Sequence, residues 1–164
     1  MSSTPVIVAA MTRQRVIGHR GTIPWDLPLD RQLFRQLTWG HCVIMGRRTF
    51  QSLPAALPGR TNLVLSRSTN HLPGCQILPN LPAALQRAEE LAATPFVIGG
   101  TEPFRDALPL AGELVISWVA KDYPGDRYFP PFDPTGWVLV KQEAYNGFTR
   151  CFYHRVKTAE PRTP

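Results

Sequence analysis

The sequence has few of the features that mark secreted, zinc-binding or membrane-spanning proteins. Its three cysteines, Cys42, Cys75 and Cys151, are an odd and widely spaced set, which argues against a disulfide framework and against a cysteine zinc site. No apolar run approaches the roughly 20 residues that a membrane-spanning helix needs. No basic residue precedes the short apolar run near the N-terminus, as a secretory signal would require. These absences favour a protein of the reducing cytoplasm that has no metal site.

Dense blocks of basic residues are also missing, although the formal net charge is +6. The 18 Lys and Arg residues exceed the 12 Asp and Glu residues but are scattered along the chain. Such a surplus can serve nucleic-acid binding, can attract small anionic ligands, or can simply belong to a soluble surface. Composition alone favours the soluble surface and leaves the other two interpretations open.

Short apolar runs alternate with helical patterns along most of the chain. Strands are predicted at residues 6–11, 42–45, 62–66, 75–78, 95–98 and 113–120, followed by a hairpin within 137–157 that turns at Asn146-Gly147. Helices are predicted over Leu29–Thr38 with Pro28 in the first turn, around Thr49–Leu53, over residues 81–93 and directly after Gly99-Gly100. The pattern predicts one α/β domain, residues 1–157, whose mostly parallel sheet ends in an antiparallel edge hairpin. Residues 158–164 are predicted to be a disordered tail.

One carboxylate stands where the first helix should be apolar. Asp30 shares a helix face with Leu33, Phe34 and Leu37, which follow it by three, four and seven residues. An aspartate in a first turn can simply be stabilised by the helix dipole. Asp26, in the preceding loop, suits the N-cap better. Asp30 can therefore instead be a carboxylate in an apolar pocket that binds adjacent N–H donors of a ligand.

Two strand-to-helix junctions have residues suited to a phosphorylated ligand, because open α/β sheets bind ligands beyond the carboxyl ends of their strands. In "VIGGTEPF" the pair Gly99-Gly100 would let the backbone approach a pyrophosphate; an ordinary turn is the alternative. In "VIMGRRTF" Arg47 and Arg48 begin a helix, where the dipole disfavours cations. With Ser66 and Arg67 they form a candidate 2′-phosphate site that would prefer NADP over NAD.

Arg60 follows the tight turn of "LPGR". Its guanidinium could hold a ligand carboxylate in a forked pair. For this arginine, as for Arg47, Arg48 and Arg67, the alternative is a solvated surface side chain.

Five blocks resemble the dihydrofolate reductase family in their order and spacing: "VIVAAMTRQRVIGHRGTIPWDLPLD…F", "VIMGRRTFQSL", "LPGRTNLVLS", "VIGGTEPF" and "GDRYFP". The resemblance covers residues 6 to about 156 and is greatest to the bacterial, single-domain form. It implies an eight-stranded, mostly parallel sheet flanked by helices. It also implies NADPH-dependent reduction of 7,8-dihydrofolate to tetrahydrofolate, which supplies one-carbon metabolism.

The resemblance also implies the residues of the site. Asp30 and Trp25 are the catalytic positions: Asp30 holds the N–H edge of the pterin, and Trp25 helps to retain a water. Ser117 is expected beside Asp30, linked to it through water, and Arg60 is expected to bind the α-carboxylate of the folate glutamate. The other substrate positions are Val8, Ala9, Phe34, Leu53 and Ile98. The NADPH positions are Ala10, Val16, Ile17, Gly18, His19, Arg20, Gly21, Thr22, Gly46, Arg47, Arg48, Thr49, Leu65, Ser66, Arg67, Ile98, Gly99, Gly100, Thr101, Glu102 and Phe104.

Four positions depart from the pattern common in the family. Ile23 replaces a methionine, Phe104 a tyrosine, Arg31 a residue that is more often apolar, and Pro79 a basic cofactor contact. None of them removes a group that the chemistry requires.

Two rival interpretations remain. One is a reductase of the same fold that acts on a pyrimidine of riboflavin synthesis or on a different pterin; the pair Asp30 and Arg60 favours folate. The other is a basic nucleic-acid-binding domain, although the sequence has no aromatic platform or recognition helix. We expect a monomer that acts on a small molecule, without nucleic acid or membrane.

Overall fold

The computed structural model describes residues 4–157. The predicted tail, 158–164, lies outside the described residues. The strands are β1 (Val6–Met11), β2 (Val16–Gly18), β3 (Cys42–Gly46), β4 (Thr61–Leu65), β5 (Gln76–Leu78), β6 (Pro95–Gly99), β7 (Glu113–Val119), β8 (Arg127–Tyr128), β9 (Trp137–Tyr145) and β10 (Phe148–Arg155). The helices are α1 (Pro28–Thr38), α2 (Arg47–Ser52), α3 (Leu81–Glu90) and α4 (Thr101–Ala107), and a 3-10 turn spans Pro134–Gly136.

Within this range eight strands form one sheet in the order β5-β4-β3-β6-β1-β7-β10-β9. The six strands from β5 to β7 are parallel to one another, and β10 runs antiparallel between β7 and β9. The predicted parallel sheet with an antiparallel C-terminal hairpin is confirmed. The chain crosses from β1 to β3 and later returns to insert β6 between them. This reversal creates a topological switch point at the carboxyl ends of β1 and β6, where ligands of such sheets bind.

Both faces of the sheet are covered, because successive side chains of a strand point to opposite sides. Ile7 and Met11 of β1 belong to a buried cluster with residues of α3 and α4. Val6 and Val8 pack with Leu37 of α1 on the opposite face. The alternation also assigns the faces of β7, whose Val115 packs with the α1 side.

The start of α1 differs in one respect from the sequence prediction. Pro28 is in the first turn, as predicted, but the N-cap is Leu27, and its side chain makes no cap hydrogen bond. Asp26 instead accepts a hydrogen bond from the guanidinium of Arg31 at the exposed surface. The prediction that Asp26 caps the helix is therefore wrong. Proline lacks an N–H group, so this first turn has one donor fewer that needs a cap.

Other boundaries shift by a few residues. The short second helix begins at Arg47, directly after Gly46, and α3 ends at Glu90. Strands β2 and β8, which the sequence analysis does not predict, pair as a separate antiparallel ribbon. No helix in the described part of the chain has the length and hydropathy needed to span a membrane.

Candidate active site

A cleft of about 1900 Å³ lies at the carboxyl ends of β1, β3, β4 and β6. It brings together most of the residues that the sequence analysis assigns to substrate and cofactor. These lining residues are Val8, Ala9, Ala10, Ile17, Gly18, Arg20, Gly21, Thr22, Asp30, Phe34, Gly46, Arg47, Arg48, Thr49, Leu53, Arg60, Leu65, Ser66, Arg67, Ile98, Gly99, Gly100, Thr101, Glu102, Phe104 and Ser117. The cleft thus coincides with the switch point of the sheet.

Three predicted site residues do not line the cleft. Val16 is buried, and the backbone of His19 pairs with that of Thr22. The indole of Trp25 packs at a tilt against Tyr123, with ring centroids 5.6 Å apart. The Val16 side chain and the Trp25 indole therefore pack beside the cleft wall rather than forming it.

Asp30 is half-buried on the cleft side of α1. Ser117 on β7 donates a hydrogen bond from Oγ to Asp30 Oδ1 at 2.6 Å. The expected water link between these two side chains is therefore replaced by a direct contact. Burial raises the pKa of Asp30, against the opposing effects of the Ser117 hydrogen bond and of the charges of Arg150 and Arg31. Oδ2 has no hydrogen-bond partner among residues 4–157, so it is available to a ligand.

The loop before β4 fixes the position of Arg60. The buried Asn62 bonds through its side chain to both the N–H and the C=O of Leu57, each at 2.9 Å. Gly59 has φ +74°, and a Cβ there would lie 2.2 Å from the Trp39 ring, so only glycine fits this turn. Arg60 Nε donates to Pro58 O at 2.9 Å.

The Arg60 guanidinium has no carboxylate partner in the described part of the chain. It lies 5.8 Å from the centroid of the Phe34 ring and equally far from that of Trp39. Burial, followed by the nearby charge of Arg35, lowers the pKa of Arg60. An anionic ligand group would oppose both effects, because a nearby opposite charge favours the charged form of arginine.

The junction of β6 and α4 forms a tight turn in the cleft wall. Gly99 has φ +132°, a conformation that favours glycine, and its peptide bond to Gly100 is cis. A Cβ at Gly99 would lie 3.4 Å from the ring of Phe104, and one at Gly100 would lie 3.5 Å from Thr49 Oγ1. The backbone of this turn is therefore not covered by side chains of its own residues. Thr101 Oγ1 donates a hydrogen bond to Tyr128 O at 2.7 Å, which links the turn to the residues across the cleft.

Three exposed arginines flank this turn. Arg47 and Arg48 begin α2, and Arg67 follows β4. Arg47 donates to Thr69 Oγ1 at 3.3 Å, whereas neither Arg48 nor Arg67 has a hydrogen-bond or ion-pair partner among the described residues. The cleft therefore ends in a group of cations that lack internal counterions.

The ribbon of β2 and β8 holds the loop that covers this part of the cleft. Asp126 accepts hydrogen bonds from the backbone N–H of Arg20 at 3.2 and 3.3 Å, and its own N–H donates to Gly18 O. Gly125 lies against Val16, where a Cβ would come within 2.2 Å of the valine side chain. Residues far apart in sequence thus fix the loop.

The sequence model of the dihydrofolate reductase family matches residues 5–156, nearly the whole described chain. The chain belongs to the dihydrofolate reductase family.

Individual relatives agree with this membership. The dihydrofolate reductase of Bacillus subtilis is 37% identical over 140 residues, which are 83% of this chain and 81% of that protein. That of Mycobacterium tuberculosis is 40% identical over 136 residues, 79% of this chain and 81% of the other. The dihydrofolate reductase HdrB of Haloferax volcanii is 35% identical over 164 residues, 94% of this chain and 84% of that protein.

A solved structure agrees with the fold. Dihydrofolate reductase from Enterococcus faecalis, complexed with NADP(H) and RAB-propyl, superposes with a TM-score of 0.87. The match covers 96% of this chain and all of that one, at 24% identity. The eight-stranded architecture is thus that of the family.

At two of the positions that depart from the family pattern, the side chains now have defined places. Phe104 is buried, its ring centroid 4.9 Å from that of Phe129, and its edge packs beside Gly99. Ile23 lines the cleft mouth and is 63% exposed. Phe104 therefore serves packing, and Ile23 is free to contact a ligand.

The sequence analysis misses several lining cations, among them Arg150 on β10 and Arg127 on β8. The signal for Arg150 was present. A two-residue turn at Asn146-Gly147 pairs residue 150 with residue 143, an arginine with a glutamate. Arg127 had no such signal, because β8 is only two residues long.

Proposed function

We propose that the cleft holds dihydrofolate at one end and NADPH at the other, and that the chain reduces 7,8-dihydrofolate to 5,6,7,8-tetrahydrofolate. We call Asp30, Phe34, Leu53 and Arg60 the substrate end, and Arg47, Arg48, Arg67 and the Gly99-Gly100 turn the cofactor end. The observation that carries the proposal is the half-buried Asp30, held by Ser117 with one oxygen unpartnered, in the cleft of a chain of this family.

The substrate end suits a flat ring joined to an anionic tail. Asp30 Oδ2 can accept a hydrogen bond from a pterin amino group or a ring N–H, and Phe34 and Leu53 offer apolar walls. Arg60 has no internal carboxylate partner and can form a forked pair with the α-carboxylate of the glutamate tail. A ribitol-phosphate pyrimidine would leave Arg60 without that carboxylate, which favours folate.

The residues present at the cofactor end fit NADPH. The bare backbone at Gly99-Gly100 leaves space that a side chain would fill, so it can lie against the pyrophosphate. Arg67 and Arg48 lack internal counterions and can bind the adenosine 2′-phosphate, which supports a preference for NADPH over NADH. When bound, NADPH supplies the hydride.

The chain's own contribution is orientation and electrostatics. Holding two rings at reacting distance can lower a barrier by several kcal/mol, on the order of 7 to 11 in favourable cases. Reduction also adds a proton to N5 of the pterin. We assign Asp30 an electrostatic and orienting role: its charge, held by Ser117, fixes the ring and favours its protonated form. Water then serves as the proton donor. Trp25, whose indole packs against Tyr123, is assigned the role of helping to retain that water.

We further propose that the protein acts as a monomer in the cytoplasm, without nucleic acid. Its three free cysteines, two of them buried, suit a reducing compartment.

The test is an assay in which purified protein is mixed with NADPH and dihydrofolate and the nicotinamide absorbance is followed. We expect oxidation of NADPH that depends on dihydrofolate and is inhibited by a folate analogue. A loss of absorbance only with a riboflavin-pathway pyrimidine would replace folate with that substrate. Salt-dependent binding to random DNA, with no NADPH oxidation, would contradict the proposed enzyme activity altogether.

A further inference from the structure

A charged row crosses the C-terminal strands and ends at Asp30. The register of β10 pairs Arg150 with Ser117 of β7 on one side and with Glu143 of β9 on the other. Directly paired residues of neighbouring strands point to the same face of a sheet. We call these three side chains the Glu143–Arg150–Ser117 row. Because Ser117 contacts Asp30, the row runs from the sheet edge to the substrate end of the cleft.

The contacts of the row fix its cation in place. Nε and Nη2 of Arg150 each lie 2.9 Å from Glu143 Oε1. The guanidinium carbon is 4.8 Å from the centroid of the Phe152 ring. Arg150 lines the same cleft as Asp30. A guanidinium held by a carboxylate and an aromatic face has little freedom to turn towards solvent.

Burial distinguishes this ion pair from the others near the cleft. The side chains of Arg150 and Glu143 are 13% and 24% exposed, whereas those of Arg31 and Asp26 are 65% and 79% exposed. Charges with less solvent around them interact over longer distances and are screened less by salt. Arg150 therefore acts on Asp30 more strongly than an exposed cation at a comparable distance.

The charges that act on Asp30 are those of Arg150 on β10 and Arg31 on α1. On β9, next to Arg150, Lys141 Nζ is 3.7 Å from Glu143 Oε2. Desolvation raises the pKa of Glu143, but the hydrogen bond and charge of Arg150, with Lys141, bring it below its ordinary value. Glu143 thus stays ionised and keeps Arg150 anchored at neutral pH.

We propose that Arg150 is a positioning residue for the reductase: anchored by Glu143, its charge stabilises the ionised carboxylate of Asp30 across the shared sheet face. The row thereby sets the pH range in which the substrate end works. Arg150 does not need to touch the substrate, and its effect passes through Asp30. The inference rests on the proposed role of Asp30 in dihydrofolate reduction.

The first test needs no catalysis. Ligand-free protein carrying aspartate labelled with ¹³C at the carboxyl is titrated by NMR, and the Asp30 signal is assigned by its absence in Asp30→Asn. We expect Arg150→Gln to move the Asp30 titration to higher pH, because it removes the stabilising charge. Glu143→Gln should move it to higher pH by less, because Arg150 keeps its charge but loses its anchor. Arg150→Lys should return it towards the original position. Arg87→Gln, which breaks an arginine–carboxylate pair on α3, is the matched control and should move nothing.

Upward shifts in both neutralising variants, larger in Arg150→Gln and reversed in Arg150→Lys, are the signature of the proposal, because lysine restores the charge without restoring the packing of the guanidinium. If Arg150→Gln does not move the Asp30 titration, the row has no electrostatic role. If Glu143→Gln moves it to lower pH, Glu143 acts by its own charge and not as the anchor of Arg150, which overturns the proposal. Should Arg150→Gln fail to fold, Glu143→Gln and Arg150→Lys still decide.

The second readout is the pH profile of NADPH oxidation. Its midpoint should move with the Asp30 titration in each variant, changing the rate on the acidic side, where Asp30 loses its charge, by about twofold to fivefold, while KM for NADPH stays constant. If the NMR shifts are as expected but the protein does not reduce dihydrofolate, the role of the row is supported and the proposed function is rejected. If the protein is an active reductase but neither the pH profile nor the Asp30 titration shifts in the variants, only the proposed role of the row is rejected.

Discussion

The substrate end and the cofactor end of the cleft prepare for their ligands in opposite ways. At the substrate end the Asp30 carboxylate is half-buried, is held by Ser117 and faces inward. At the cofactor end Arg47, Arg48 and Arg67 are exposed, and two of them have no partner in the described structure. The substrate end has a single oriented charge, whereas the cofactor end has several exposed charges.

The difference follows from what each ligand presents. A pterin edge is neutral and recognised by geometry, so a poorly placed acceptor would gain little. Phosphates carry full charges that attract cations over several ångströms and accept many arrangements of donors. Exposed arginines cost little in the free protein, whereas a buried carboxylate costs folding free energy that only ligand binding recovers.

The largest effect should come from the oriented charge. Asp30→Asn keeps the shape of the side chain but removes its charge, so turnover at pH 7 should fall by roughly 100-fold or more. The dissociation constant of NADPH, measured by fluorescence, should remain nearly unchanged, because Asp30 lies at the other end. Equal turnover of mutant and wild type across the pH range would refute the role assigned to Asp30.

The second effect is at the tail of the substrate. Arg60→Met keeps the packing against Phe34 and Trp39 but removes the donors, and should raise KM for dihydrofolate by about 10- to 100-fold. Arg60→Lys should recover part of the loss. With a dihydropterin that has no glutamate, the Arg60→Met and wild-type proteins should behave alike; a similar loss with both substrates would show that Arg60 supports the fold rather than the tail.

A third, smaller effect tests the cofactor end. Arg67→Gln should weaken NADPH binding by about tenfold and leave NADH binding nearly unchanged, because only NADPH has the 2′-phosphate. Arg13→Gln removes an exposed arginine paired with Asp122, outside the cleft, and serves as the charge-matched control. If the binding affinities for NADPH and NADH fall equally, Arg67 does not bind the 2′-phosphate.

Local patterns in the sequence were sufficient for most of the fold. Buried parallel strands appear as short apolar runs, and the strand runs such as residues 6–11 and 42–45 contain enough apolar residues to be recognised. The helical spacing around Asp30 correctly put it on the face with Phe34 and Leu37, which is the cleft side of α1. The Asn146-Gly147 signal predicted the hairpin; the register that pairs Arg150 with Glu143 follows from the same turn but was not predicted.

What escaped prediction depends on contacts between distant residues. The ribbon of β2 and β8 joins segments of three and two residues, too short for any periodicity. The direct bond between Ser117 and Asp30 spans 87 positions and depends on how closely α1 approaches β7. Asp26 was misassigned because a local rule for helix caps takes no account of Arg31 as a competing partner. Backbone patterns are local, whereas side-chain partners are chosen by packing.

The smallest predicted effect concerns stability and has the opposite sign to the loss of activity. Because burial raises the pKa of Asp30, the folded protein binds more protons than the unfolded chain between the ordinary aspartate value of 3.8 and the higher folded value. Its free energy of unfolding therefore falls as the pH rises through that window. Asp30→Asn removes this cost and still accepts from Ser117, so it should raise the melting temperature of the ligand-free protein at pH 7 by about 2 °C. The gain should vanish as the pH falls towards 3.8.

Asp26→Asn, at an exposed pair, should change the melting temperature little at either pH. Calorimetry at the two pH values would decide: a variant that is less active and also less stable at pH 7 would mean that Asp30 serves the fold, and the contrast between the two ends of the cleft would disappear.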